Sequence, residues 1–179
     1  ACSSCHDEKL PADAGLDVTM LSKNADFSPV CYSCHRGMTA ENKWLHGPAA
    51  AVACLTCHRK GNDSNKITTL VGRVDEVCFS CHINKRQWTR DTYIHGPAAT
   101  GDCTVCHDPH GADFPFMLWA DPKIDICIAC HTDKKGIKTK KQGYYEHGII
   151  EGSGCSACHS PHASNYRFQL PNTINKTCV

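Results

Sequence analysis

A short pattern, Cys-x-x-Cys-His, occurs seven times in this chain of 179 residues and constrains its fold more than any other feature. If such a box forms a turn of helix, positions i, i+3 and i+4 lie on one face, so both thiols and the imidazole can address the same flat group. This pattern is the attachment signature of a c-type haem, with two thioether bonds and one iron-ligating histidine per box. The boxes are Cys2/Cys5/His6, Cys31/Cys34/His35, Cys54/Cys57/His58, Cys78/Cys81/His82, Cys103/Cys106/His107, Cys127/Cys130/His131 and Cys155/Cys158/His159.

Paired cysteines have two other common uses besides the attachment of the seven haem c groups. Cys-x-x-Cys units can bind zinc, and an oxidising compartment can convert such pairs to disulfides. Neither use explains a histidine directly after every second cysteine. A chain of this composition would contain only about 0.08 such boxes by chance.

The boxes define an internal repeat of about fifty residues that carries two boxes. First-type boxes begin at Cys31, Cys78 and Cys127, and second-type boxes begin at Cys2, Cys54, Cys103 and Cys155. We therefore predict a single multihaem domain over 1–179, with a partial repeat at 1–30, repeats at 31–77, 78–126 and 127–177, and the start of another at 178–179. Cys178 lies where an eighth box would begin, so the array is either cut there or continues in a longer protein.

Three histidines share a position inside the repeat. His46, His95 and His147 each precede a glycine, follow an aromatic residue by two positions, and stand eight residues before the next second-type box. The fixed spacing favours a role as a distal iron ligand over a histidine exposed by chance.

Two further histidines follow a box across a proline. In His107-Asp-Pro109-His110 and His159-Ser-Pro161-His162, the proline stops the helix and directs the second histidine away from the first. We expect His110 and His162 to ligate irons other than those of their own boxes. A turn histidine in solvent is the simpler alternative.

The count of histidines leaves two of seven irons without a histidine partner, because five spare histidines are available. Lys9 and Gly61 stand where the first partial repeat and the next repeat lack the extra histidine. The candidate replacements are Met38, Met20 and Met117, with the thiol of Cys178 as a remoter one. Met20, like Met117, precedes a leucine at a matching repeat position, so packing is its default role.

The fold class predicted from these features is mostly irregular, with short α-helices at the boxes, few or no β-strands, and a chain of haems as the organising centre. Aromatic residues make up only 7% of the chain, so the apolar interior should be largely porphyrin. The haem-free chain should not fold.

Charge and hydrophobicity limit the partners. The polypeptide has a formal charge of +1, and seven haems with two propionates each would bring the molecule to about −6 when oxidised and about −13 when reduced. A nucleic-acid partner is therefore not expected. The sequence has no apolar run long enough to cross a bilayer, and its start inside the first box fits an exported chain whose signal peptide has been removed.

The boxes, the preceding His-Gly-Pro segments and the following Cys-His-x-Pro-His segments resemble the doubled-CxxCH multihaem cytochromes c, a family that includes filament-forming proteins. The resemblance covers Cys2 to Cys178. It implies a periplasmic or extracellular electron carrier with alternating stacked and crossed haems, redox partner proteins and possible assembly as a homopolymer. The resemblance also implies that electrons move between haems without chemical conversion of a substrate.

Two other functions remain open from the sequence. A multihaem reductase of nitrite, hydroxylamine or a sulfur oxyanion would keep one open haem, and some of these enzymes use a Cys-x-x-Cys-Lys box, which this sequence lacks. A monomeric periplasmic electron shuttle would share the haem array but not the polymer.

Overall fold

The computed structural model describes residues 31–32, 35–60, 68–135 and 147–178. The box at Cys2, Cys5 and His6, the thiol of Cys34, and Met20 lie outside the described residues. In the described part, regular elements are short, as the sequence predicts. The fold class is confirmed.

The α-helices of the described part have between four and eight residues. They are α1 Gly37–Ala40, α2 Gly47–Ala50, α3 Val74–Cys81, α4 Gly96–Thr100, α5 Asp125–Ile128, α6 Gly148–Ser153 and α7 Ile174–Thr177. Helices α2 and α4 begin directly after His46 and His95, and a proline stands in the first turn of each. Proline suits that position because its missing N–H would have had no partner inside the helix.

Short 3₁₀ helices occupy the second-type boxes and several connections. They are η1 Cys54–Thr56, η2 Ile83–Arg90, η3 Cys103–Val105, η4 Pro115–Met117, η5 Thr132–Lys134, η6 Cys155–Ala157 and η7 Arg167–Gln169. First-type boxes instead use α-helix, as in α3 and α5. The two kinds of box recognised in the sequence therefore differ in local conformation.

The β-strands form three antiparallel two-stranded sheets in the described part. The strands are β1 Trp44–Leu45, β2 His58–Lys60, β3 Thr68–Leu70, β4 Tyr93–Ile94, β5 Gly111–Ala112 and β6 Ala163–Ser164. Strand β1 pairs with β5, β2 with β3 and β4 with β6. Two of these sheets join segments of consecutive repeats: Trp44 lies opposite Ala112, and Tyr93 lies opposite Ser164.

The apolar core made by side chains is very small. Among the described residues, the buried hydrophobic ones are Ala112, Ala163 and Leu170. Large apolar residues such as Phe116, which is 71% exposed, and Trp119, which is 55% exposed, cover little of one another. The polypeptide thus leaves apolar surface around the boxes that protein alone does not cover.

Candidate haem sites

The box turns place their histidines as the spacing predicts. The amide of the histidine bonds to the carbonyl of the first cysteine four residues earlier in boxes of both types, for example from His82 to Cys78 at 2.9 Å and from His107 to Cys103 at 3.1 Å. Both thiols and the imidazole of a box are therefore held on one turn.

Four of these proximal histidines face a second histidine from elsewhere in the chain. The ring centroids lie 6.0 or 6.1 Å apart, and the ring planes differ by 9 to 20°. The facing pairs are His82 with His46, His58 with His110, His131 with His95, and His107 with His162.

The separation within each pair fits a metal ion between two imidazoles. Rings in face-to-face contact would lie closer, whereas a metal–nitrogen bond of about 2.0 Å on each side of an ion places the centroids roughly 6 Å apart. The four pairs could therefore each hold the iron of a bis-histidine haem.

Hydrogen bonds at Nδ1 fix the orientation of several of these rings. His46 and His95 donate from Nδ1 to the carbonyls of Pro109 and Pro161, each at 2.9 Å. His107 donates in the same way to the carbonyl of Phe116 at 2.8 Å. With the proton on Nδ1, the Nε2 lone pair is left for a metal.

The facing histidine of the His58 site has a carboxylate partner instead. His110 Nδ1 lies 3.2 Å from Asp108 Oδ1. On the proximal side, Nδ1 of His58 is buried and has no hydrogen-bond partner within the described part of the chain.

Burial keeps two of the paired imidazoles neutral. Burial lowers the pKa of His58, and the neighbouring His110 lowers it further. Burial also lowers the pKa of His162 to about 4, with smaller contributions from His107, His95 and Lys85. A neutral imidazole is the form that binds a metal.

The two sheets that join consecutive repeats bring together histidines that belong to different facing pairs. The amide of His46 donates to the carbonyl of His110 at 3.2 Å, directly beyond the β1–β5 pairing. The amide of His95 donates to the carbonyl of His162 at 2.9 Å beside the β4–β6 pairing. The sites at His58 and His82 therefore form one couple, and those at His107 and His131 form a second.

Thiol contacts connect the boxes in chain order. Cys57 neighbours Cys81 and Cys106 neighbours Cys130, and each of these contacts lies within a couple. Contacts beyond a couple use the first thiol of each box: the thiol of Cys78 lies against that of Cys103, and the thiol of Cys127 lies against that of Cys155, with no disulfide between them. Two kinds of contact therefore alternate along the five boxes from Cys54 to Cys158.

These thiols sit in an apolar environment. Burial, followed by the adjacent Cys103 thiol, raises the pKa of Cys78 to about 12. Burial and the adjacent Cys155 thiol raise the pKa of Cys127 to about 11. Thiols with such pKa values are neutral at neutral pH when no metal is bound. In the described part, no three metal-ligating side chains converge on one point.

Other predicted site residues have no facing imidazole in the described part. His147 is exposed. Among the residues described, no second ring pairs with His35, His147 or His159. His159 still donates from Nδ1 to the carbonyl of Phe168 at 2.7 Å, as His107 does to Phe116. Met38 is 39% exposed on α1, and its amide bonds to the carbonyl of His35 at 3.2 Å.

Sequence reasoning missed two groups of residues at these sites. The acceptor carbonyls of Phe116 and Phe168 come from residues with positive φ, at 61° and 60°. Trp88 stacks on His162 with ring centroids 3.9 Å apart and planes 5° apart. The Phe-x-Leu match between repeats could have indicated the turns, but no repeated pattern contains Trp88.

Turns that each carry two thiols and a histidine, with a second imidazole opposite, define the class of multihaem c-type cytochromes. Comparison with known proteins gives the family. A sequence model described as "Doubled CXXCH motif" matches residues 46–87, 95–136 and 147–179, and one described as "Cytochrome c7 and related cytochrome c" matches residues 1–59. The chain therefore belongs to the doubled CXXCH motif family, whose haem c is attached covalently.

A curated relative agrees with this assignment. The multiheme cytochrome MtrA of Shewanella baltica (strain OS185) is 34% identical over 89 residues, which cover 48% of this chain and 25% of the relative. The chain thus spans about a quarter of that relative's length. Multihaem cytochromes c serve electron transfer.

Among the described helices, none has the length and apolar character that a bilayer crossing requires.

Proposed function

We propose that this protein transfers electrons along seven covalently attached haem c groups, one for each box. The observation that carries the proposal is the set of four facing histidine pairs, each 6.0 or 6.1 Å apart, on boxes that contact one another in chain order. Haem c supplies an iron that cycles between the ferric and ferrous states.

The chain's own residues would set the spacing and the ligands of the array. Two thioether bonds per box fix each group to one turn, and the sheets β1–β5 and β4–β6 hold successive sites side by side. Two imidazoles at one iron exclude other ligands, which favours electron transfer over catalysis. We therefore assign His46, His95, His110 and His162 as distal ligands.

The remaining ligands follow from the register of the pairs. His46 and His95 each face a histidine 36 residues later, whereas His110 and His162 face the second-type box of the preceding repeat. By this register, no box of the printed sequence faces His147, and Gly61 stands where the partner of His6 would be. The sites of His6, His35 and His159 are therefore left without an assigned second histidine. Met38 and Met20 are then the candidates for sites without a second histidine.

Mass and spectra test this proposal. The intact mass of the mature protein should exceed that of the polypeptide by seven haems, and resonance Raman spectra should show predominantly low-spin iron. A polypeptide without haem, or with bound zinc, would contradict the assignment.

A reductase is the second candidate function, because His35 and His159 have no facing imidazole among the described residues. An open iron at either site would bind a small molecule. A high-spin fraction that binds cyanide or nitrite, together with turnover of nitrite or hydroxylamine, would support the enzyme. Absence of both would support the conduit.

We further propose that the protein works in the periplasm or outside the cell, where it exchanges electrons with redox partner proteins. In the family that this chain resembles, haem is attached outside the cytoplasmic membrane, which supports this location. The linear order of box contacts suits a wire that continues into a second copy, and thus a polymeric filament. Electron microscopy and mass in solution distinguish a filament from a monomeric shuttle.

A further inference from the structure

The distal histidines differ in what holds their rings. His46, His95 and His110 each have an Nδ1 partner, namely the carbonyls of Pro109 and Pro161 and the carboxylate of Asp108. His162 makes no side-chain hydrogen bond within the described residues. Another contact must therefore fix the plane of its ring.

That contact is the indole of Trp88. The indole lies parallel to the imidazole of His162, with 3.9 Å between centroids and 5° between planes. The ammonium of Lys85 lies 5.4 Å from the centroid of the indole, on the same 3₁₀ helix η2. The ammonium of Lys85, the indole of Trp88 and the imidazole of His162 thus lie close together beside the His107 site.

The surrounding backbone holds Trp88 in place. Directly after η2, the amide of Thr92 donates to Asn165 Oδ1 at 3.1 Å, and Asn165 Nδ2 donates to Asp91 at 3.2 Å. Because Asn165 follows β6 and His162 precedes it, these bonds fix the end of η2 relative to the distal histidine. The stacking is therefore built into the fold.

We propose that Trp88 is a positioning residue for the haem of the Cys103/Cys106/His107 box: it replaces the missing Nδ1 hydrogen bond by holding the imidazole plane of His162 and shielding that ring from water. Lys85 adds a positive charge near the same site, which favours the reduced iron. This inference rests on the proposed ligation of that haem by His107 and His162. Trp88 comes from the segment after His82, so one couple of sites controls a ligand of the next.

The test compares Trp88→Leu, which keeps apolar volume but removes the ring, with Trp88→Phe, which keeps a stacking ring. We expect the Leu variant to change the electron paramagnetic resonance signal of one low-spin haem, because its two imidazole planes no longer stay within 9°. The fraction of that haem open to cyanide should rise about three- to tenfold, and the Phe variant should restore most of the wild-type behaviour. Trp44→Ala is the control, because the indole of Trp44 contacts no histidine ring in the described part. This variant should leave the haem of the His107 box unchanged.

A second measurement does not depend on packing. Lys85→Gln should lower the reduction potential of one haem without altering the electron paramagnetic resonance signal. The surface control Lys43→Gln should leave that potential unchanged. If the Leu and Phe variants matched the wild type in signal and cyanide binding, the positioning role would be wrong. Independently, His162→Gly must convert one low-spin haem to high-spin, and failure there would contradict the proposed ligation instead.

Discussion

Each of the four proposed distal imidazoles owes its orientation to a single acceptor or ring. The carbonyl of Pro109 serves His46 and that of Pro161 serves His95, both at 2.9 Å. Proline therefore has two roles in these segments: it ends the helix after the box, and its carbonyl accepts the Nδ1 hydrogen bond of a histidine from the preceding repeat. The Nδ1 bond keeps Nε2 directed at the opposite ring.

Exchange of one distal ligand tests the pairing of His95 with His131. In His95→Met, a thioether would replace an imidazole at one iron, and the reduction potential of that single haem should rise because methionine favours the ferrous state. Redox titration followed by absorption would detect one component shifted upwards. His147→Met is the matched control, and it should leave the four paired haems unchanged. A shift of the same component in both variants would contradict the pairing.

The segment after each second-type box shows how element structure depends on local residue type. In two repeats it returns through a left-handed turn, with positive φ at Phe116 and Phe168 and their following residues. The equivalent segment of the earlier repeat forms the extended hairpin β2–β3, where Arg59 pairs with Thr69. β-Branched threonines disfavour the left-handed region, so this segment does not form the left-handed turn. No carbonyl from such a turn therefore reaches Nδ1 of His58, which has no hydrogen-bond partner within the described part of the chain.

Glycine substitution distinguishes these two conformations. Gln169 has a φ of 52°, so Gln169→Gly should raise the free energy of unfolding by about 0.5 kcal/mol, because relief of left-handed strain exceeds the entropic cost of glycine. Thr69→Gly, in an extended strand, should lower it by about 0.5–1 kcal/mol. Denaturant unfolding of the haem-loaded protein measures both. Equal destabilisation by the two variants would contradict the assigned strain.

Gly154 sets the contact between the Cys127 and Cys155 boxes. Its φ is 77°, a Cβ there would collide with the backbone of Lys123, and the next amide donates to the carbonyl of Lys123 at 2.9 Å. Gly154→Ala should therefore destabilise the fold by at least about 2 kcal/mol and separate the two boxes. Gly148→Ala, at a helical position with open space around it, should be neutral or stabilising by up to about 1 kcal/mol. Thermal unfolding and haem content are the readouts, and similar behaviour of the two variants would refute the close contact.

At the scale of the molecule, the side-chain core is too small to account for folding. In the described part it comprises Ala112, Ala163 and Leu170, and full burial of one leucine contributes only about 1.5–3 kcal/mol. Such limited burial cannot offset the conformational entropy that the chain loses on folding. The attached porphyrins must therefore supply most of the buried apolar surface.

The haem-free polypeptide should consequently lack a cooperative unfolding transition. Replacing all box cysteines by serine, or expressing the chain without haem attachment, should give a far-ultraviolet circular dichroism spectrum dominated by irregular chain. The haem-loaded protein should unfold cooperatively. A cooperative transition in the haem-free form would show that polypeptide packing alone is sufficient.

The sequence by itself determined the boxes, the two-box repeat and the set of spare histidines, because these depend on spacings of a few residues within one turn. It also predicted the small side-chain core, because only 7% of the residues are aromatic and seven boxes share 179 residues. Only the tertiary structure decided which histidine faces which, because the partners are 36 to 55 residues apart and no spacing within one turn relates them. The stacking of Trp88 on His162 likewise needed the fold, because it joins two repeats through a contact that no sequence period encodes.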